Sequence, residues 1–519
     1  MDNALWTLGA IPLILVILCL AVQWVMSLCR SDMVHKIPGP SSLSWVFGNM
    51  RELLLTSTYG EYEFRWLRQY GAVYRIQGCF GETRLMVSDP AAMHWIVTSG
   101  HFTLGPSTAN TFRLLFQTGS LVLTDNHEHK RLRTAFNPGF SAAAVRKYLP
   151  IFERAAQILT EQLEHHSGEA INISPFLGQA TISPASEVIL GHPVEDFGVE
   201  FITNNLAIVA LAVNQSASQI PVDALFAWIP AVIRDATIHL PFSPFTVLNN
   251  SKFLANRIGK KLVEEKMTAA QRGIDSTGGF YGELVNSHML SERDIVAQTS
   301  LVLTAGQETT AATTAFGLVE LAQNIEFQKQ LRAEIHSAAG GRRTDEVGYD
   351  SMPLLNAFIK ETLRMYPAEP LPERMATQDT VIPLTESITM LDGKQISSIP
   401  IRKGQVVMFA VASYQRLYSR WGQDPDKFNP ARWLDNGGVY KGEAIGPYAN
   451  LLSFYGGPRT CLGWRFAILE LQVFICELVG KFEFTLPSLG ITRARYGGTL
   501  FPTLPDGKKG AVLSVKRVI

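Results

Sequence analysis

From Ala4 to Met26 the only strongly polar side chain is Gln23, and Leu13, Ile14, Leu15, Val16, Ile17, Leu18 and Leu20 form the centre of the run. About 20 apolar residues wound as a helix match the ~30 Å hydrocarbon layer of a bilayer. Residues 4–26 are therefore expected to form a retained transmembrane helix. A cleaved leader would begin with a basic region, and here the flank carries Asp2 and neither Lys nor Arg. Arg30 and Lys36 follow the run, which places the rest of the chain in the cytosol. Ile37-Pro38-Gly39-Pro40 cannot continue a helix. Residues 27–45 read as a stiff proline-rich hinge, and 46–519 as one body. A cytosolic body leaves the Asn-x-Ser sequons at Asn172, Asn214 and Asn249 unmodified.

Within the body, residues 71–89 mix Val, Tyr, Ile, Leu and Met around Gly78 and Gly81, the pattern of a strand hairpin. Asp89-Pro90 then opens a helix, with Asp89 as N-cap and Pro90 at the first position. From about 125 to 370 most segments have helical periodicity. Thr380–Leu384 and Gln405–Phe409 are strand-like, and after Cys461 the chain returns to helix and then to short strands. Ser291 can cap a helix from about Glu292 to Asn324, ~50 Å long and able to cross the whole body. The pattern predicts an α-rich α+β fold with minor sheets. The apolar stretch 221–246 reads either as a membrane-dipping or substrate-access surface or as a buried helix pair.

Charge narrows the function. The 519 residues carry 46 Lys+Arg against 46 Asp+Glu, so no basic field is present to hold nucleic acid. Five cysteines without a Cys-x-x-Cys argue against a disulfide scaffold or a structural zinc site. There is no Gly-x-Gly-x-x-Gly, no phosphate loop, no Gly-x-Ser-x-Gly and no His-Glu-x-x-His. His127 and His129, at i,i+2, diverge on a helix and make a poor metal pair.

The segment richest in chemistry is Phe454-Tyr455-Gly456-Gly457-Pro458-Arg459-Thr460-Cys461-Leu462-Gly463, followed by a long apolar helix. Cys461 lies just ahead of a helix N-terminus, with Arg459 two residues upstream; both features favour a thiolate. No partner histidine stands nearby for nucleophilic catalysis, and a single soft anionic ligand to one face of a metal fits the composition. Phe454, Gly457, Arg459, Cys461 and Gly463 occupy the five fixed positions of Phe-x-x-Gly-x-Arg-x-Cys-x-Gly, and here the sequence resembles the cytochrome P450 superfamily. The resemblance implies a large helical domain with minor β-sheets, haem b (iron protoporphyrin IX) as cofactor, and Cys461 as the thiolate on its iron.

Other segments extend the resemblance. Glu361 and Arg364 share one helix face at i,i+3 and look like the family's Glu-x-x-Arg element. Arg432, in Phe428-Asn429-Pro430-Ala431-Arg432-Trp433, resembles the third member of that structural triad. In the long helix, Ala305-Gly306-Gln307-Glu308-Thr309-Thr310 accepts a glycine at a cost of ~1 kcal/mol. From composition alone this marks either a ligand approach at Gly306 or a close helix crossing. The segment resembles the family's oxygen-binding motif, which implies that Thr309 hydrogen-bonds dioxygen and Glu308 relays protons. Arg133, Arg374 and Arg459 resemble the cations that hold the haem propionates. His129 stands where the family commonly has Trp.

The resemblance thus implies a microsomal, fungal-type haem-thiolate monooxygenase on the endoplasmic reticulum membrane. It would act on O2 and a lipophilic small molecule in secondary metabolism, often a terpenoid in such members. With no flavin or nicotinamide motif in the chain, an NADPH-cytochrome P450 reductase is the implied partner, for which Lys130, Arg131 and Arg465 form either a docking face or ordinary solvated surface. The rivals are a haem-thiolate isomerase or peroxygenase, against which the Glu308-Thr309 pair speaks, and a non-catalytic membrane haem sensor.

Overall fold

The computed structural model describes residues 32–518 except 57, 228, 230–233, 235–241, 273–278, 340–347, 435–443 and 488–491. The expected anchor at 4–26, the first part of the hinge and much of 221–246 lie outside the described residues. Among the described residues one helical stretch, Val194–Val213, is long and apolar enough to cross a membrane by length and composition.

The hairpin forms as its pattern predicts. Strand β1 (Val73–Gln77) pairs antiparallel with β2 (Thr83–Val87). Helix α1 (Pro90–Thr98) follows, and the Asp89 carboxylate accepts a hydrogen bond from the Ala92 amide at 3.0 Å. Next come β3 (Phe102–Leu104), α2 (Asn126–Phe136), α3 (Leu149–Glu164), β4 (Glu169–Asn172) and α4 (Ser174–Ala185). Helix α5 (Gly198–Val213) lies along α6 (Ser243–Gln271) and buries Phe201, Ile208, Val209 and Val213.

The long central helix departs from expectation. Ser291 does cap it, through a reciprocal capping box with Asp294, but α7 (Glu292–Val296) and α8 (Thr299–Gln323) are separate segments. The buried Gln298 side chain explains the break. Its amide donates to the Asp294 and Gly119 carbonyls at 3.0 Å, and its oxygen accepts from the Leu121 amide at 2.7 Å. Ala297 and Gln298 keep helical dihedrals or nearly so, and the Gln298 amide reaches back three residues to Ile295, so the turn tightens without changing direction. From Gln307 to Phe316, Thr309 apart, helix α8 is buried on every side, which suits a helix enclosed by neighbours over that length. It packs on α4, α6, α9 (Pro353–Met365) and α10 (Trp464–Lys481).

Strands β5 (Glu373–Ala376), β6 (Thr380–Thr389), β7 (Gln395–Ile401) and β8 (Val406–Phe409) follow α9; β9 (Phe482–Thr485), β10 (Arg493–Tyr496), β11 (Leu500–Thr503) and β12 (Val512–Arg517) follow α10. The largest sheet has the order β1-β2-β8-β5-β3, with β2 and β8 parallel and the other pairs antiparallel. The others are β4-β12-β9 and the hairpins β6-β7 and β10-β11. One apolar core lies among the helices, where Phe152 of α3 meets Phe466 of α10 edge to face at 4.7 Å. A second lies under the large sheet. Ile37 is buried in that second core, and the Arg75 amide donates to the Pro38 carbonyl, so the end of the proline segment is docked on β1. The fold is α-rich with small sheets, as the pattern predicts.

Candidate functional site

The loop before α10 is held by its backbone. The Cys461 amide donates to the Phe454 carbonyl at 2.8 Å, and Phe454 is buried. Gly457 has φ +63°, and a Cβ there would stand 2.2 Å from the Val97 carbonyl oxygen of α1. Gly457→Ala is therefore expected to lower the unfolding midpoint and the fraction of protein that retains cofactor. The left-handed conformation alone costs ~1–2 kcal/mol for a residue with a side chain, and α1 must also move. A variant indistinguishable from the parent in both measurements would contradict this reading. At Gly463 only the Phe140 ring lies within 4 Å of a would-be Cβ, at 3.8 Å.

Two arginines fasten the loop to α2 and to the segment before it. Arg133 donates to the Thr460 carbonyl and to Asn137 Oδ1. Arg459 donates to the Leu121 and Thr124 carbonyls and pairs with Asp125. Two of the three expected propionate partners, Arg133 and Arg459, thus also have protein partners. Arg374 is different. It is 8% exposed, lies over the Tyr455 ring at 4.9 Å, and its guanidinium has no hydrogen-bond partner among the described residues. His129 is also buried without a side-chain partner among them. Burial, and then the Arg459 and Arg133 charges, hold its imidazole down at about 4, so it is neutral at pH 7 and offers one donor and one acceptor.

Cys461 feels Arg133 and Glu369; Arg459 feels Arg374 and Arg133. These groups share one electrostatic neighbourhood. Burial pushes the Cys461 thiol above its ordinary value, and the Gly463 amide and Arg133 offset this only in part. A coordinated metal would remove the thiol proton outright. Although protein surrounds Cys461 closely enough for burial to dominate its thiol, its surface is exposed.

Helix α8 has a matching open face. Leu301, Ala305 and Thr309 succeed one another at i,i+4 and stay partly or fully exposed, while Gln307, Glu308 and Thr310 to Phe316 are buried. The Thr309 hydroxyl donates to the Ala305 carbonyl at 2.9 Å. The Gln307 carbonyl accepts from Thr181 of α4, also at 2.9 Å. Both are side-chain competitors for helix carbonyls. At Gly306 a Cβ would meet the Ala185 Cβ at 2.8 Å. The observed demand for glycine there comes from the crossing of α4 and α8, the second of the two readings the composition leaves open. Glu308 forms an ion pair with Lys509.

Glu361, Arg364 and Arg432 come together away from this face. Glu361 and Arg364 are fully buried and paired through two hydrogen bonds of 2.8 and 2.9 Å; Arg432 Nε donates to Glu361 Oε1 at 2.9 Å. Three further residues escaped sequence reasoning. Glu470 is fully buried on α10, neither of its carboxyl oxygens has a hydrogen-bond partner among the described residues, and burial pushes its carboxyl well above the ordinary range. A lone acid among Ile468, Leu469, Leu471 and Val473 was the available signal. Glu369 lies beside Arg374 and Tyr455. Lys509, far along the chain, gave no local signal.

A soft thiol with accessible surface, an open apolar helix face and a buried guanidinium lacking a partner fit a flat dianionic tetrapyrrole. Cys461 would hold the iron of haem b, and Arg374 and His129 have unspent hydrogen-bonding capacity for its carboxylates. Comparison with known proteins agrees. The cytochrome P450 family profile matches residues 38–507. Cytochrome P450 monooxygenase 91 of Postia placenta is 29% identical, over 93% of this chain and 94% of its own. Cytochrome P450 monooxygenase 219 of the same organism is 30% identical over 87% and 88%. Cytochrome P450 monooxygenase claQ of Ampulloclitocybe clavipes is 27% identical over 92% and 91%. The chain belongs to the cytochrome P450 family, and it is a haem-b monooxygenase.

Proposed function

We propose that the protein inserts one atom of O2 into a lipophilic small molecule of secondary metabolism, with a terpenoid skeleton as the first class to test. The other oxygen atom leaves as water, consuming two electrons and two protons. An NADPH-dependent P450 reductase supplies the electrons, and residues 4–26 anchor the chain in the endoplasmic reticulum membrane with the body in the cytosol. The haem, when bound, supplies the redox centre at which dioxygen is activated. The chain's own residues do the rest. Leu301 and Ala305 on the open face of α8 offer apolar surface. Thr309 brings the one hydroxyl of that face, and Glu308 adjoins it.

The Thr309 hydroxyl on the open face, with the buried Glu308 carboxylate next to it in the chain, carries the proposal, because a reaction that consumes protons has use for an acid beside an alcohol. Thr309→Ala is expected to keep the thiolate-type ferrous–CO band. Product formed per NADPH should fall several-fold and hydrogen peroxide should rise. Full coupling in Thr309→Ala would remove the support for a proton-consuming monooxygenation. The substrate class is tested by the shift of the haem spectrum across a panel of terpenoids, fatty acids and polycyclic aromatics. A panel in which no terpenoid shifts the spectrum would discard that class.

A further inference from the structure

Glu308 is nearly enclosed, yet its partner does not come from a helix that packs on α8. Lys509 lies in the turn between β11 and β12, 201 residues further along the chain. The side chains are 9% and 18% exposed. Lys509 Nζ also lies over the Phe501 ring at 5.7 Å, and Phe501 belongs to the apolar cluster with Val209 and Val213 of α5.

Both ends of the pair stand on fixed backbone. Thr503 and Lys509 form a β-bridge, and the Leu504 amide donates to the Lys508 carbonyl at 2.8 Å. The Asn172 side chain accepts from the Ala511 amide at 3.0 Å and donates to the Lys509 carbonyl at 3.4 Å. At Gly510 a Cβ would approach Asn172 Nδ2 to 2.8 Å and Leu504 Cγ to 2.9 Å, so the turn closes around Asn172 only with glycine there. On α8, the neighbouring Gln307 donates to the Gly178 carbonyl at 3.1 Å and accepts from Asn205.

A half-desolvated ion pair is a weak source of stability, since burial takes back most of the Coulomb energy. Such precise support on both sides therefore calls for another use. An ammonium has three protons to give and no acceptor. Exposure falls from Lys509 to Glu308, and Thr309 follows on the open face. We infer that Lys509 is the positioning residue for Glu308 and the solvent end of the proton route to Thr309. The ammonium gives one proton to the Glu308 carboxylate, breaking an N–H bond and forming an O–H bond, and the amine recovers a proton from water. The transfer leaves both groups neutral, so the charge attraction that holds Glu308 at Lys509 is gone and the acid can turn toward Thr309.

This inference rests on the reading of Glu308 and Thr309 given above. The test uses the full chain with haem, reductase and whichever panel compound shifts the haem spectrum most. Lys509→Met should keep the ferrous–CO band, lose coupling several-fold and show a larger solvent deuterium effect on product formation; Lys509→Arg keeps the charge beside Glu308 but does not give up a proton, so it should leave coupling low, and full coupling in Lys509→Arg would overturn proton donation by residue 509. In thermal unfolding, Glu308→Gln and Lys509→Met together should cost less than the sum of the two singly. Additive losses would show that the pair does not form and would overturn the inference. Normal coupling in Lys509→Met, with Thr309→Ala uncoupled, would overturn the role of Lys509 alone. Normal coupling in Thr309→Ala and Glu308→Gln would overturn the underlying reading as well. Should Lys509→Met not fold, Lys509→Gln makes the same comparison.

Discussion

Cys461→Ser is expected to abolish the red-shifted ferrous–CO band of thiolate-ligated haem and, with it, all measurable oxidation. The substitution spares the loop. The Phe454 carbonyl still receives the backbone amide of residue 461, Gly457 still turns against Val97, Arg133 still holds the Thr460 carbonyl, and Arg459 still reaches the Leu121 and Thr124 carbonyls. What would change is the atom that residue 461 offers to the haem iron. A hydroxyl oxygen is harder than sulfur and holds its proton far more tightly, so the electron donation that promotes O–O cleavage disappears. The measurement is the reduced-plus-CO difference spectrum of protein purified from the membrane fraction, with circular dichroism to show that the helices are retained. A serine variant with the parent's band would refute Cys461 as the metal ligand, and the site built around it would have to be sought elsewhere.

The parts of this site that can be read from sequence are those whose physics is local. Five fixed residues within ten positions specify the cysteine loop, because turn, sulfur and helix start are all consecutive. The Asp89 cap and the Glu361/Arg364 pair are likewise short-range, at three residues' separation. Reading fails where a distant side chain intervenes. The break between α7 and α8 is made by Gln298 reaching the 119–121 segment, a tertiary contact invisible to periodicity. Arg459 also pairs with Asp125, more than three hundred residues earlier, a contact its own loop does not announce. Gly306 looks like a ligand approach from composition, and only the position of Ala185 identifies the helix crossing. Lys509 could not be found at all, since nothing in its own neighbourhood marks it as the partner of Glu308.

Glu361→Gln is expected to cost the fold more than any other single polar substitution on α9. Glu361 accepts from Arg364 through both oxygens, from Arg432 at 2.9 Å, from the Asn429 amide at 2.7 Å and from the Trp433 indole at 2.9 Å. Arg364 in turn donates to the Gln415, Pro425 and Lys427 carbonyls, which ties α9 to the loop leading toward the cysteine segment. Burial alone would raise the Glu361 carboxyl, but the two guanidiniums and these donors hold it below the ordinary carboxylate value. Its contribution to stability is therefore complete above the unfolded carboxylate pKa of ~4.3 and is lost as pH falls toward the lower folded value. The amide keeps the shape and removes the charge, which leaves two arginines buried against a neutral partner. Removing one partner of a buried pair costs ~3–5 kcal/mol, a large share of the ~5–15 kcal/mol that holds a typical protein folded. The soluble, haem-containing yield should fall steeply, and the surviving protein should unfold at a clearly lower midpoint. Lys427→Ala makes the contrast. Its ammonium pairs with Asp424 in the open, at 73% and 62% exposure, where such a pair is worth ~0–1 kcal/mol. If Glu361→Gln unfolds within ~1 kcal/mol of Lys427→Ala, the charge on Glu361 contributes no more than a surface pair does, and the loop toward Cys461 is held by packing instead.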